Sequence, residues 1–272
     1  MPDMPTLLLM LALLMAIGAF AGVISGLLGV GGGIVLVPAF FYAFDHLGYG
    51  GDQLMQVCLG TSLATIIITS IRSALAHHRK GAVDWAILRA WGPYVAAGAL
   101  GGFFLAASLK STALQVIFGV LAMIAGLYMA FGRDHWRLGA AMPGGVARDG
   151  LGGALGFFSA LMGIGGGTFG VPMMTLYAMP IHRAVATAAG FGIIIAVPAA
   201  IGFLTLAVSH APPWSIGAVN LPAFAVIIAM TLITTPYGVR LAHRMDARPL
   251  KRVFAGFLIL VALNMLRKVA GW

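Results

Sequence analysis

A glycine-rich phrase that occurs twice in the chain is the feature that most restricts its fold. The first copy, SGLLGVGGG, covers residues 25–33 and precedes Pro38, and the second, SALMGIGGG, covers residues 159–167 and precedes Pro172. The copies lie 134 residues apart, close to half of the 272-residue length, which indicates two copies of one unit. Each copy interrupts an apolar run with three consecutive glycines, which destabilise a helix and leave the backbone accessible. Two such interruptions at equivalent positions indicate paired broken helices with a site between them.

The composition identifies the environment in which this unit folds. Hydrophobic residues make up 61% of the chain, charged residues make up 8%, and the mean hydropathy is +1.01. Soluble domains carry roughly 25% charged residues, so this chain cannot cover a water-facing surface. The sequence therefore predicts an all-α polytopic membrane protein with on the order of ten helical segments. The net charge of +9 comes from basic residues scattered between apolar runs, which favours contact with the lipid bilayer over nucleic-acid binding.

The apolar runs divide the chain into two transmembrane repeats. We expect the first repeat at residues 1–131, a cytoplasmic linker at 132–148 and the second repeat at 149–272. The expected segments are 6–28, 34–44, 54–76, 85–108 and 112–131, then 149–164, 168–181, 184–208, 217–242 and 249–270. The segments after the glycine triplets are too short to cross about 30 Å of hydrocarbon as straight helices. Each triplet is therefore predicted to form the tip of a helical hairpin.

The basic residues set the orientation of the repeats. If each repeat is a hairpin followed by three full spans, all 16 Lys and Arg residues except Lys110, Arg267 and Lys268 fall on the side opposite the N-terminus. Basic residues concentrate in cytoplasmic loops, so both termini are predicted to lie outside the cytoplasm. The count does not distinguish hairpins that span the membrane from hairpins that only enter it. An odd number of spans inverts the second repeat relative to the first, which is typical of transporters.

The two glycine triplets are the first candidate site. Because the repeats are inverted, the hairpins enter from opposite sides, and we expect their tips to meet near the midplane. Each triplet precedes a helix start, at Ile34 and at Thr168, where unpaired backbone N–H groups carry partial positive charge. Glycines let an anion approach such groups closely, which predicts an oxyanion site. The alternative is that the glycines only permit tight helix packing.

Hydroxyl side chains near the triplets extend this site. Ser25 and Ser159 are equivalent in the two repeats, and Gly60-Thr61-Ser62 in the next span is matched by Thr187-Ala188-Ala189. The predicted substrate-binding residues are Ser25, Gly29, Gly31, Gly32, Gly33, Thr61, Ser62, Ser159, Gly163, Gly165, Gly166, Gly167 and Thr168. Pro38 and Pro172 are predicted to shape the short helices behind the tips. The alternative role of any one hydroxyl is a bond to a backbone carbonyl one turn back.

Basic side chains near the predicted cytoplasmic ends form a second, weaker group. Arg72, His182, Arg183 and Arg240 are candidates for contacting an anion from that side. Snorkelling of these side chains to the membrane interface is the alternative. We interpret residues 77–80, His-His-Arg-Lys, as a cytoplasmic loop cluster that anchors the chain at the interface.

Several chemistries are excluded by the residues that are missing. All seven acidic residues are Asp near segment ends or in loops, so proton coupling would fall to a histidine or to the substrate. Soft ligands and paired carboxylates are absent, so we expect no metal and no cofactor. No Asp accompanies a Ser–His pair in the apolar runs, which argues against hydrolysis and against an enzyme in general.

The glycine phrases also carry a resemblance. The pattern Gly-x-Gly-Gly-Gly-x-x-x-Val-Pro, at residues 29–38 and 163–172, together with Gly60-Thr61-Ser62-Leu63, resembles the sulfite exporter TauE/SafE family, also called the toluene sulfonate uptake permeases. The resemblance covers essentially the full length. It implies a secondary transporter of small sulfur-containing anions such as sulfite, sulfoacetate or other organosulfonates.

We therefore expect a multi-pass protein of the bacterial inner membrane that exports such an anion by alternating access. The anion would bind between the hairpin tips, and the small anionic substrate and the bilayer would be the partners. An anion channel of the same fold is one alternative. A non-transport membrane scaffold is another, although it leaves the paired hairpins unexplained.

Overall fold

The computed structural model describes residues 4–28, 32–132, 136–242 and 247–269. Within these residues the chain forms ten helices and one short β-hairpin. The helices are α1 Met4–Leu28, α2 Gly33–His46, α3 Leu54–His78, α4 Trp85–Ser108, α5 Ser111–Phe131, α6 Gly145–Leu161, α7 Gly167–Leu176, α8 Ile181–Thr205, α9 Leu221–Ala242 and α10 Ala247–Val269. The all-α membrane fold with five segments in each half is confirmed, including the two short helices behind the glycine triplets.

Three segment boundaries differ from those expected by four or five residues. Helix α7 ends at Leu176 rather than at residue 181, which is already the first residue of α8. Helix α6 begins at Gly145, inside the expected linker, where the positive φ of Gly145 (59°) turns the chain into the helix. The expected segment 217–242 starts later, at Leu221, because a β-hairpin precedes it. Strands β1 Ser215–Ile216 and β2 Val219–Asn220 pair in antiparallel register around Gly217, whose φ is 56°.

Helices α3 and α8 form the centre of the bundle. Five described helices, α3, α4, α5, α8 and α9, are long and apolar enough to cross a membrane. The apolar windows of α3 and α8 are 78% and 72% buried, whereas those of α4, α5 and α9 are between 33% and 39% buried. The outer three therefore present broad apolar surfaces to lipid, and the central pair is enclosed by protein.

The central helices run antiparallel to each other. Gly60 near the start of α3 packs against Phe203 near the end of α8, and Ser70 further along α3 packs against Gly192. A Cβ placed on Gly60 would lie 2.9 Å from the Cβ of Phe203, so the helices are in close contact. Because α3 and α8 are the third helices of the two halves, their antiparallel contact shows that the halves are inverted.

The last helices of the two halves repeat this relation. Gly119 of α5 packs against Leu266 of α10, and Gly126 packs against Ile259, so this pair is also antiparallel. A pseudo-twofold axis perpendicular to the helices therefore passes between α3 and α8 and between α5 and α10. This geometry confirms the inverted repeat expected from the odd number of spans.

The first helix of each half packs on the other half. Helix α1 runs parallel to α9, with Gly22 against Thr231 and Gly26 against Thr235. Helix α6 packs on α4 in the same parallel sense, as the pseudo-symmetry requires. The small residues let the backbones approach closely, as is common between membrane helices. The halves are therefore intertwined.

Two equivalent hydrogen bonds fix the correspondence between the halves. The backbone N–H of Asp84, before α4, donates to Thr187 Oγ1 on α8 at 3.0 Å, and that of Asn220, before α9, donates to Thr61 Oγ1 on α3 at 2.9 Å. Asp84 and Asn220 each also cap their own helix by accepting from the backbone N–H three residues on. Thr61 therefore corresponds to Thr187, so the expected match of residues 60–62 with 187–189 is wrong by one position.

The Asp84→Ala substitution is expected to destabilise the protein by about 0.5–2 kcal/mol, the usual cost of removing an N-cap. It also removes the carboxylate that pairs with Arg183 at 2.8 Å. The matched control is Lys110→Ala, which breaks an ion pair with Asp52 whose side chains are 78% and 75% exposed. The apparent melting temperature in detergent measures both changes. A drop for Lys110→Ala as large as that for Asp84→Ala would contradict the capping role.

Candidate binding site between the two hairpin tips

The tips of the two hairpins touch each other beside the middle of α3. Gly33, the first residue of α2, lies so close to the second tip that an added Cβ would overlap the Gly163 carbonyl oxygen. The same Cβ would lie 2.9 Å from Ile164 Cα and 2.7 Å from Ile66 on α3. The expectation that the tips approach each other is confirmed for the described residues. Gly29 and Gly31 lie outside them.

The second tip begins with a well-formed helix end. The Gly163 N–H donates to the Ala160 carbonyl at 3.0 Å and the Ile164 N–H donates to the Ser159 carbonyl at 2.9 Å. With Gly163 at a φ of 64°, these two bonds form a Schellman motif at the end of α6. The Gly163 carbonyl then accepts a 2.7 Å bond from Ser62 Oγ of α3. Gly163 and Ser62 therefore hold the tip in place.

A helix starts at each tip. Gly32, with a φ of 79°, precedes α2, and Gly166 precedes α7, and neither provides a side-chain cap. The first N–H groups of a helix have no acceptor within it and carry its partial positive charge. Residues 163–168 and 32–33 are all buried. Both helix starts, with their first backbone N–H groups, therefore lie inside the protein.

Three hydroxyls beside the tips have no hydrogen-bond partner among the described residues. They belong to Ser25 on α1, Ser159 on α6 and Thr168 in the first turn of α7. Ser25 and Ser159 are fully buried, and Thr168 is 3% exposed. A buried hydroxyl without a partner costs about 1–3 kcal/mol, so these three make the two hairpins the candidate site for a polar ligand.

The remaining predicted site residues have other surroundings. Thr61 accepts the Asn220 N–H, as described above, so it supports the start of α9. Pro38 and Pro172 each occupy the sixth position of their helix, α2 and α7. Proline lacks an N–H, so the carbonyls four residues earlier, on Ile34 and Thr168, lose their usual helical donor.

The four basic candidates lie away from the tips. Arg72, His182, Arg183 and Arg240 are all exposed, whereas the described tip residues are buried. Arg183 is occupied by its ion pair with Asp84, and the Arg240 guanidinium lies 5.7 Å from the centre of the Tyr237 ring. The structure does not bring these side chains to the tip junction.

The far ends of both hairpins are tied to other parts of the chain. Lys268 near the end of α10 pairs with Asp45 on α2 at 2.6 Å and lies 4.7 Å from the centre of the Phe41 ring. A pocket of about 340 Å³ opens beside this pair. In the second half, the Leu138 N–H of the linker donates to the Leu176 carbonyl at the end of α7. Across the described residues, no group of three or more His, Cys, Asp or Glu is placed to hold a metal ion.

Two features of the site were not found from the sequence. The first is the anchoring of Thr61 by Asn220, which the Asn at a helix start could have indicated. The second is the burial of the polar side chains that continue along α3 from Ser62, described below. Their spacing of three and four residues is visible in the sequence, but the interpretation of residues 77–80 as an exposed loop cluster obscured it.

An inverted pair of helical repeats, with broken helices that meet inside the bundle, defines the class of polytopic membrane transporters. Comparison with known families then gives the identification. The model of the family Sulfite exporter TauE/SafE matches residues 14–265, and the chain belongs to this family.

Curated relatives agree with the class. A "Probable membrane transporter protein" of Haemophilus influenzae is 30% identical over 94% of this chain and 98% of its own length. The "Probable membrane transporter protein MJ0441" of Methanocaldococcus jannaschii is 27% identical over 95% of this chain and 96% of its own. YunE of Bacillus subtilis, also a "Probable membrane transporter protein", is 30% identical over 64% of this chain and 71% of its own. No solved structure matches the chain significantly.

Proposed function

We propose that this transporter moves small sulfur-containing anions, such as sulfite, sulfoacetate or another organosulfonate, out of a bacterial cell. It lies in the inner membrane with both termini outside the cytoplasm, so that the α3–α4 turn and the linker face the cytoplasm. The anion binds between the hairpin tips, and transport proceeds by alternating access.

The observation that carries this proposal is the set of unused donors at one junction. The two hairpins carry two buried helix starts and the hydroxyls of Ser25, Ser159 and Thr168, which are buried and have no hydrogen-bond partner among the described residues. Among the described residues of the hairpin tips there is no carboxylate, Lys or Arg. Backbone and hydroxyl donors around a helix start suit oxygen atoms that carry negative charge. A sulfonate or sulfite group presents three such oxygens.

Burial of the tips supports a carrier over a channel. A channel of the same fold needs a continuous polar path, and the described tip residues are enclosed. An anion between them would have to be released by separating the hairpins from their neighbours, which is a conformational step of a carrier. A scaffold without transport activity would have no use for unpaired donors at this junction.

A thermal-shift experiment with the purified protein tests the site. The panel is sulfite, sulfate, thiosulfate, sulfoacetate, taurine, acetate and phosphate. A ligand at about ten times its Kd is expected to raise the melting temperature by roughly 3–6 °C, because it binds only the folded state. We expect this for sulfite or a sulfonate and not for acetate.

The Gly166→Leu variant should lose the shift. Even its Cβ would lie 2.5 Å from the Phe191 Cβ and 2.7 Å from the Ala188 carbonyl oxygen, so the second tip must move. Gly170→Ala on the same helix is the control, because its Cβ would be 3.8 Å from the nearest atoms of Leu155 and Met174. A full rise in melting temperature in Gly166→Leu would contradict the proposed site. So would the absence of any rise in the wild-type protein with every oxyanion of the panel, at about 10 mM and again at about 100 mM.

A further inference from the structure

A stripe of buried polar side chains runs along α3 from the tip junction to the end of the helix. It consists of Ser62, Thr65, Thr69, Ser73 and His77, which recur at three- and four-residue intervals and are each at most 1% exposed. This interval places them on one face, and they cover about 22 Å of the helix axis. Its first member bonds to the second tip, and its last lies in the final turn of α3.

The equivalent face of α8 contains no polar side chain. The bonds of Thr61 and Thr187 set the register between α3 and α8, and a third pair agrees with it: Ala82 N–H donates to the His77 carbonyl, and Ala218 N–H donates to the Phe203 carbonyl. In this register the counterparts of the stripe are Ala188, Phe191, Ile195, Ala199 and Phe203, all 0% exposed. Apolar residues therefore pack well at the equivalent face of α8, so packing alone does not explain why α3 carries polar residues there.

Part of the stripe has unused hydrogen-bonding capacity. Thr65 Oγ1 donates to the Ser62 carbonyl at 2.6 Å, and Thr69 Oγ1 donates to the Ile66 carbonyl at 3.3 Å. A hydroxyl in a helix commonly bonds to a carbonyl of the preceding turn in this way. Ser73 Oγ has no hydrogen-bond partner among the described residues, nor does Oγ of the adjacent Ser70. Burying a hydroxyl without a hydrogen-bond partner lowers the stability of the protein, so an apolar side chain would be more stable at Ser73. The hydroxyl therefore indicates a functional role.

We propose that this stripe conducts protons between the tip junction and the cytoplasm, with His77 as the group that binds and releases the proton, and that anion transport is coupled to this movement. The inference rests on the proposed function. A proton from cytoplasmic water binds a ring nitrogen of His77. Each hydroxyl then rotates away from any carbonyl that it bonds, donates its own proton onward and accepts the preceding one. Residues four positions apart have Cβ atoms about 5–6 Å apart, within reach of one hydrogen bond or one bridging water.

Histidine is suited to this role in a chain without a membrane carboxylate. Its charge changes between pH 5 and 8, and hydroxyl groups both donate and accept hydrogen bonds as they rotate. Among the described residues, the elements around α3 carry these charged and titratable groups at this end: Arg72, His78, Arg79 and Lys80 on α3 and its turn, Asp84, Arg89 and Tyr94 on α4, Arg148 and Asp149 on α6, His182 and Arg183 on α8, and Tyr237 and Arg240 on α9. Of these, His78 accepts a bond from the Trp85 indole, and Asp84 and Arg183 pair with each other.

Proteoliposomes loaded with sulfoacetate test the coupling. Both acidic groups of this anion are ionised between pH 6 and 8, so the probe itself carries no exchangeable proton. The membrane potential is clamped by potassium and valinomycin. A pH difference of about one unit across the membrane is then expected to drive up to about tenfold accumulation of sulfoacetate on one side. A pH-sensitive dye inside the vesicles should record proton movement that depends on the anion. Counterflow exchange at equal pH measures anion binding and translocation separately.

His77→Gln should abolish accumulation and the dye signal while counterflow continues, and the neighbouring His78→Gln should behave as the wild type. Ser73→Ala should lower the pH-driven rate without loss of melting temperature, because alanine fills the equivalent position at Ala199. If His77→Gln fails to fold, Ser73→Ala decides the question. If the wild-type protein shows counterflow but no pH-driven accumulation, the coupling to protons is wrong and the proposed function stands. If the wild-type protein shows no counterflow, the proposed function is wrong as well.

Discussion

Replacing Gly33 by alanine is expected to lower anion transport in proteoliposomes by roughly 10- to 100-fold, the equivalent of about 1–3 kcal/mol of overpacking. Gly33 is where the first tip rests on the second. Its new methyl group would overlap the Gly163 carbonyl oxygen and press on Ile164 Cα, both of which are backbone atoms. Because neither can rotate away as a side chain would, the tips must separate. The helix starts would then no longer face one ligand.

Gly170→Ala again serves as the matched control for this change. It adds the same methyl group to the other short helix, where the nearest atoms would be 3.8 Å away. Alanine also favours a helix over glycine by roughly 1 kcal/mol, so this variant should transport at the wild-type rate and melt no lower. Initial rates of sulfoacetate counterflow measure both proteins. If Gly33→Ala transported at the wild-type rate while correctly folded, the tip junction would not be the binding site.

Gly156→Ala is expected to reduce stability more than activity. Its Cβ would overlap the Val95 carbonyl oxygen and lie 2.8 Å from the Ala99 N, so α6 and α4 must move apart. Overpacking of this kind costs about 1–3 kcal/mol, and in a chain of this size the apparent melting temperature should fall by roughly 3–10 °C. Van der Waals contact at small residues is a main source of helix association in membranes, so the loss is not offset elsewhere.

The control for Gly156 lies three residues earlier on the same helix. A Cβ on Gly153 would have no atom within 4 Å, so Gly153→Ala should be neutral or slightly stabilising. Thermal unfolding in the same detergent compares the two. Equal melting temperatures for both variants would indicate that α4 and α6 do not need this close approach.

The sequence was sufficient for the features that depend on local physics. Glycine triplets cannot continue a helix, so the breaks before α2 and α7 were predictable, and the distribution of basic residues was enough to predict the inversion that α3 and α8 display. Features that depend on long-range register were not predictable. The correspondence of Thr61 with Thr187 is visible only in their contacts with Asn220 and Asp84, which join residues more than 100 positions apart in the chain, so the sequence predicts the match one position off.

Burial was the other missing information. Because His77 precedes three exposed polar residues, the sequence predicts that it lies with them in a loop, whereas it is 1% exposed in the last turn of α3. A serine or threonine every three or four residues is compatible with a lipid-facing helix, an interior helix or a pore. Only the packing of α8 against α3 distinguishes these, and that packing joins residues far apart in the chain.

The parallel packing of α1 on α9 has a consequence for biosynthesis. Helix α1 ends at Leu28 and α9 begins at Leu221, so α1 meets its principal neighbour only after about 190 further residues have been synthesised and inserted. Contacts of such long sequence separation form late and slowly. During that interval the glycine face of α1 is open to lipid or to the insertion machinery. Truncated chains that stop before α9 should therefore be substrates for membrane quality-control proteases rather than independently stable half-transporters.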